Sequence, residues 1–319
     1  MFKDRKILIA GGAGFVATNL ATKLLELGAN VTATVHNKPA VIEDDRVHLI
    51  KCDLTKPHDC ERAVHGAEYV FMCAANTSGA AVMEKTPLVH VTPNVMMNTL
   101  MLEAAYRAGV KKFLFISSNT VYPNVDHPVK EEEMLSGELF DKYFCVAWMK
   151  RFAEILCQMY AEKIHKPMKT VVVRPANIFG PYDDFEWETS HVVPALIRKV
   201  VERHDPIEVW GDGSDIKDLI YIDDLVEGLL LAMEKIDDFS PVNIATGRPC
   251  SIKQVLETIL KVDGYTDAKI VFDTSKPTMI PKRLIDVAKA EKLLGFRAKT
   301  SLDEGLQKTV RWYRETVSS

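Results

Sequence analysis

The chain lacks the marks of several protein classes. Its six cysteines, Cys52, Cys60, Cys73, Cys145, Cys157 and Cys250, form no C-x-x-C pair and no Cys/His grouping at zinc-ligand spacing. Neither a metal site nor a disulfide framework is therefore expected, and the thiols read as reduced and buried. No stretch approaches the uninterrupted apolar length of a transmembrane helix. The opening Met-Phe-Lys-Asp-Arg-Lys runs into Ile7-Leu8-Ile9-Ala10 without the long apolar stretch and small-residue cleavage site of a secretory leader, so a cytoplasmic location is expected. A basic excess is missing too: 40 Lys and Arg face 44 Asp and Glu, a net charge of −4, which argues against nucleic acid as a partner. There is no repeat, low-complexity tract or obvious linker. What remains, at 47% hydrophobic and 26% charged residues over 319, is the composition of a globular protein of two domains or one large one.

The first half alternates short apolar runs with helical periods. Strands are expected at 6–10, 31–35, 47–51, 68–73, 112–117 and 170–174. Helices are expected at 15–27, 58–65, 94–108 and 143–164. This alternation predicts an α/β fold, a Rossmann-type doubly wound parallel sheet with helices on both faces. Strands buried on both faces account for unbroken apolar runs such as Phe113-Leu114-Phe115-Ile116 and Val171-Val172-Val173. The second half is less regular, punctuated by Pro175, Gly180-Pro181, Gly211-Asp212-Gly213 and Pro277/Pro281, with helices expected at 252–262 and 302–313. Segments 1–175 and 216–245 are expected to form the dinucleotide-binding domain, and 176–215 and 246–319 a smaller substrate domain.

Gly11-Gly12-Ala13-Gly14-Phe15-Val16-Ala17 falls between the first strand and the first helix. Glycines there permit a tight turn and close approach of the backbone to a pyrophosphate, which the free N–H groups and positive end of the helix then hold. NAD sites usually place an acid after the second strand, where this chain has His36-Asn37-Lys38. These residues suit a 2′-phosphate better, so the cofactor is expected to be NADP in preference to NAD. Asp53, after the third strand, is a candidate adenine contact or a cap for the following turn.

Together with these, Arg174-Pro175-Ala176-Asn177-Ile178-Phe179-Gly180-Pro181, the element Ser190-His191-Val192-Val193-Pro194-Ala195, and Tyr221-Ile222-Asp223-Asp224 resemble the extended short-chain dehydrogenase/reductase family. Its members act on nucleotide sugars as epimerases, dehydratases and reductases. The S-H-V-x-P-A element points to GDP-sugars and to the GDP-4-keto-6-deoxy-mannose epimerase/reductase branch. The resemblance implies cofactor contacts from Gly11, Gly14, Phe15, Val16, Leu54, Ala74, Ala75, Lys150 and Pro175. It implies substrate contacts from Ser118, Asn119, Asn177, His191, Val192, Trp210, Lys217 and Arg283, the last two facing the diphosphate, and pairing of two chains through the helices at 94–108 and 143–164.

In this family a Ser, a Tyr and, four residues after the Tyr, a Lys carry the chemistry. Ser118 and Lys150 match. The Tyr position is Val146, which cannot transfer a proton. Tyr143 shares a helical stripe with Lys150 but lies seven residues away, about 10 Å of rise against about 6 Å for four. Other candidates for the proton are His191, Cys145 or a water held by Ser118 and Lys150. The branch also uses a Cys and a His for epimerisation. His191 is present, but Thr120 stands in the Cys position and is too weak an acid to replace a thiol. The expected activity is thus NAD(P)-dependent redox chemistry at C4 of a GDP-sugar. The alternatives are a full 3,5-epimerase/reductase and a cofactor-loaded binding protein without turnover.

Overall fold

The computed structural model describes residues 1–42, 44–76, 86, 88–276 and 278–317; Pro277 lies outside them. Strands β1 (Lys6–Ala10), β2 (Asn30–Val35), β3 (His48–Lys51), β4 (Tyr69–Met72), β5 (Lys112–Ile116) and β6 (Lys169–Pro175) alternate with helices α1 (Phe15–Glu26), α2 (Pro57–Val64), α3 (Leu88–Arg107) and α4 (Phe144–Gln158). With a strand at Val242–Ile244 they form a seven-stranded parallel sheet. Its order is Val242–Ile244, β6, β5, β4, β1, β2, β3. The direction of winding reverses between β1 and β4, which opens a crevice at the carboxyl ends of those strands.

The apolar runs have a simple cause. Ile7 and Ile9 pack into one core and Leu8 and Ala10 into the other. Likewise Leu114 faces away from Phe113 and Phe115, and Val171 and Val173 away from Val172. Period-two alternation with both faces covered leaves no room for polar residues.

Several elements depart from expectation. Helix α3 begins at Leu88 rather than Asn94 and runs through Pro93. A proline there leaves the carbonyl of Val89 without its intrahelical donor. The Asn76 side-chain amide donates to that oxygen instead, at 3.1 Å. The helical stretch expected at 143–164 divides into a 3₁₀ turn at Asp141–Tyr143, helix α4, and a widened π turn at Met159–Lys163.

The second half is more helical than its punctuation suggests. Helix α5 (Val192–Val201) tolerates Pro194 because the proline sits in the first turn, where the N–H has no intrahelical partner. Helix α6 (Ile222–Lys235) returns to the sheet ahead of the Val242–Ile244 strand. A Cβ at Gly228 of α6 would lie 2.6 Å from Ile244, so the glycine lets helix and strand approach closely. Helix α7 (Ile252–Asp263) opens with a Ser251/Gln254 capping box and ends at Gly264 with φ of 80°. Helices α8 (Ala288–Leu294) and α9 (Leu302–Val317) complete the chain, and α5, α7 and α9 pack together. Short strands pair Asn177–Phe179 with Leu219–Tyr221 and Ile207–Trp210 with Ile270–Asp273. Among the described residues no helix is long and apolar enough to cross a membrane.

Candidate active site

The glycine loop is built as a cradle. Gly11 has φ of +90°, and a Cβ there would lie 2.6 Å from the Ala74 Cα at the end of β4. Only glycine satisfies both conditions. The loop is pinned by Gly11 N donating to Thr34 Oγ1 at 2.9 Å and Gly12 N to Thr34 O at 2.7 Å. Gly14 is the N-cap of helix α1, which has no side-chain cap and no acid in its first turn, so the N–H groups of Phe15 and Val16 stay available to an anion. Sterics and charge both fit the pyrophosphate of a dinucleotide.

At the other end of that crevice, His36, Asn37 and Lys38 follow β2 and are all exposed. The Asp53 carboxylate accepts from Thr55 N at 3.0 Å and Thr55 Oγ1 at 2.6 Å. These bonds hold it below the ordinary carboxylate range, with His36 a minor contributor. Capping the turn is thus its observed role. Leu54 is buried, while Ala74 and Ala75 are open to differing degrees.

The C-terminal ends of β4 and β5 gather the remaining chemistry. Lys150 reaches from α4 to the carbonyl of Ile116 at 2.8 Å, and its ammonium lies 4.8 Å from the Phe115 ring centroid. Burial lowers its pKa to about 8, against the opposing pull of Glu154 and the neighbouring Cys73. Ser118 begins two residues past Ile116. Its Oγ accepts from Thr120 N at 3.1 Å and from Thr120 Oγ1 at 3.0 Å, which leaves the serine proton to donate elsewhere. Thr120 therefore orients Ser118. Val146 is partly exposed, one turn before Lys150.

Tyr143 is not brought to this point. It packs with Leu139, Phe140, Ala147, Met279 and Ile280, and burial pushes its hydroxyl up to about 12.

Behind Lys150 lies a network that sequence reasoning missed. Glu154 receives Arg174 Nε at 3.0 Å, Arg174 Nη2 at 2.5 Å and the Ser117 hydroxyl, all buried. Arg174 also donates to Tyr122 Oη at 2.9 Å and Glu131 O at 2.7 Å. The spacing of Lys150 and Glu154, four residues on one helix, was the available signal.

The proposed substrate residues divide. His191 is the N-cap residue of α5 and makes no side-chain cap bond; part of it is open to solvent, while crowding around the ring lowers its pKa by desolvation and Asp184 opposes. Asn177 and Val192 are exposed, as is Trp210, whose indole donates to Glu208 at 3.0 Å. The Asn119 amide is spent on Pro175 O at 3.1 Å. Lys217 and Arg283, expected on the diphosphate, come together but lie buried. Lys217 donates to Ile280 O and lies 3.3 Å from Asp215. Arg283 holds Pro123 O at 2.8 Å and Tyr122 O at 3.3 Å, leaving only its Nε unpartnered among the described residues. As placed, these cations brace the 280–283 segment.

A separate concavity of about 830 Å³ lies at the amino ends of β4, β5 and β6, away from this chemistry. Its lysines are largely engaged already, Lys112 and Lys169 by Asp237 and Lys111 by Glu68.

This strand order, with a glycine cradle at the switch point and a Ser and a Lys at the strand ends, defines a dinucleotide-binding protein of the Rossmann class. Residues 7–245 match the NAD dependent epimerase/dehydratase family, and the chain belongs to it. It is 32% identical over 330 residues to a probable GDP-L-fucose synthase 1 of Oryza sativa subsp. japonica, covering 99% of this chain and 94% of that protein. UDP-glucose 4-epimerase of Thermotoga maritima superposes with a TM-score of 0.88 at 29% identity, covering 98% of this chain and 99% of that one. A GDP-6-OMe-4-keto-L-xylo-heptose reductase from C. jejuni superposes at 0.85 with 25% identity, covering 99% of each.

Proposed function

We propose that the protein is an NAD(P)-dependent oxidoreductase of a GDP-activated sugar, interconverting a hydroxyl and a ketone at C4. The observation that carries this is that Lys150, anchored on Ile116 O, and Ser118, two residues further along the chain, both stand at the end of β5, with Thr120 donating to Ser118 Oγ. The likeness to a probable fucose synthase and to a 4-keto-heptose reductase supports the GDP-sugar class and the C4 position.

Gly11, Gly14 and the head of α1 would hold the pyrophosphate of a dinucleotide, which when bound would supply or accept hydride. His36, Asn37 and Lys38, with no carboxylate among them, favour NADP over NAD. Ser118 donates to the C4 oxygen, and Lys150 orients the nicotinamide ribose. The sugar nucleotide occupies the side built from 176–215 and 246–319, between Asn177, His191, Val192 and Trp210.

A second reading, the full 3,5-epimerase/reductase, draws on His191. Desolvation favours its neutral imidazole, which suits it to accept a carbon-bound proton. Incubation with GDP-4-keto-hexoses in D2O separates the two. Loss of reduced-dinucleotide absorbance without solvent deuterium at C3 or C5 supports C4 redox alone. Deuterium at those carbons supports the epimerase.

We further propose a cytoplasmic homodimer. Phe144, Trp148 and Phe152, spaced by four residues along α4, are 56%, 45% and 44% exposed, and Met96 of the adjoining α3 is 41% exposed. A contiguous apolar stripe of this kind marks an interaction surface.

A further inference from the structure

Val146 deprives the site of the proton donor that C4 chemistry requires. Resting on the C4 reading above, we propose that the Lys150 ammonium itself supplies this proton to the sugar oxygen, with Ser118 holding that oxygen in place.

The other candidates are spent or misplaced. The Tyr143 hydroxyl is enclosed beside Ile280 within an apolar cluster. Thr120 gives its proton to Ser118 Oγ. Cys145 is one residue from Val146, about 100° around the helix from it. Cys73 is a thiol that burial pushes up to about 12, a poor acid near neutrality. His191, at the head of α5, is not on the helix that carries Val146, and loss of C4 reduction in His191→Asn with Lys150 intact would assign the proton to it instead.

Lys150 is the ionisable group one turn beyond Val146 on the same helix face. Its single acceptor among the described residues is Ile116 O, so two of its N–H bonds remain for other partners. The groups facing it are Glu154, one turn further along α4, and Cys73 at the end of β4. Glu154 is already satisfied by Arg174 and Ser117. The amine is thus buried without a close ion pair, and burial lowers its pKa to about 8, near the optimum for a general acid at working pH.

The step balances. A bound reduced dinucleotide would supply the hydride for the new C4–H bond, with the carbonyl electron pair moving onto the oxygen. One N–H bond of Lys150 breaks, its proton forms the O–H bond, and the neutral amine regains a proton from water. Oxidation runs in reverse and begins from the neutral amine.

Lys150→Arg tests this, because an arginine keeps charge and donors but holds its proton too tightly to act as an acid. The expected result, at saturating dinucleotide, is kcat for reduction lower by about 10²–10⁴-fold. Adding Val146→Tyr to that variant returns a proton donor and should restore turnover, a rescue that a ribose-anchoring role for Lys150 does not produce. In the unaltered protein, kcat for reduction should fall as pH rises through about 8, where the ammonium is lost, and oxidation should rise over the same interval. Amine-selective labelling of Lys150 across pH, read by peptide mass spectrometry, measures the same titration without turnover. An amine titrating near 10.5, or hydride transfer with a flat profile and an active Lys150→Arg, overturns the assignment alone. No hydride transfer with any GDP-hexose or GDP-4-keto-hexose overturns the C4 reading and this role with it.

Discussion

Replacing Gly11 with alanine probes the cradle that the dinucleotide assignment requires. Two costs add at this position. The residue sits at φ of +90°, where a side chain costs about 1–2 kcal/mol. Its Cβ would fall 2.6 Å from the Ala74 Cα and 2.8 Å from the Ala74 N, backbone atoms that no rotamer change moves aside. Overpacking of this kind costs about 1–3 kcal/mol, for a total of about 2–5 kcal/mol. At about 2.1 cal/mol/K per residue, unfolding 319 residues carries about 0.7 kcal/mol/K, so Tm should fall by about 3–7 °C. Gly14→Ala is the control. It has no positive φ, and its Cβ would lie 3.2 Å from Gly11 O, so the expected loss is about 1 kcal/mol or less. Scanning calorimetry with and without NADPH, paired with a fluorescence titration of NADPH, measures both stability and affinity. Saturation at about 100 Kd should raise the unaltered protein by about 2.7 kcal/mol, or about 4 °C, and Gly11→Ala by less. Equal melting and equal affinity for the two variants would refute the reasoning.

The Arg174–Glu154 pair is about 2% exposed on both sides, so Arg174→Met should strand a buried carboxylate and cost about 3–5 kcal/mol by chemical denaturation. Combining it with Glu154→Leu should recover most of that loss, and a double variant no more stable than the single one contradicts the assignment of cost. Lys38→Asp should turn cofactor preference from NADP toward NAD by about tenfold or more, through repulsion of the 2′-phosphate, as read by steady-state kinetics with each cofactor. Trp148→Glu with Phe152→Glu, two rings exposed on the single chain, should convert a dimer to a monomer in sedimentation velocity; an unchanged sedimentation coefficient would remove α4 from the interface.

The sheet was legible because buried parallel strands announce themselves. Runs such as Phe113 to Ile116 leave few alternatives, and the glycine loop directly after β1 marks the turn into α1. The second half was less legible because its prolines and glycines mimic loop punctuation. Pro194 is harmless in a first turn, and Pro93 inside α3 is tolerated only because Asn76, distant in sequence, takes the orphaned carbonyl. Lys150 and Phe15 fall on the helices that residue pattern predicts, since each is set by local helix geometry. Lys217 and Arg283 do not reach an open diphosphate surface, because their environment depends on how the 280–283 segment folds back over Tyr122 and Tyr143. Neither charge nor spacing encodes that fold-back. The Glu154–Arg174–Ser117 network joins three separate elements and shows only once β5, β6 and α4 are assembled.

Hydride delivery to C4 is tested most directly with dinucleotide bearing deuterium at the transferable position. The protein is incubated with this cofactor and GDP-4-keto-6-deoxy-mannose in ordinary water, and the product sugar is read by NMR. The predicted result is deuterium at C4 and at no other carbon. A product without deuterium at C4, formed while substrate is consumed, would contradict the assignment.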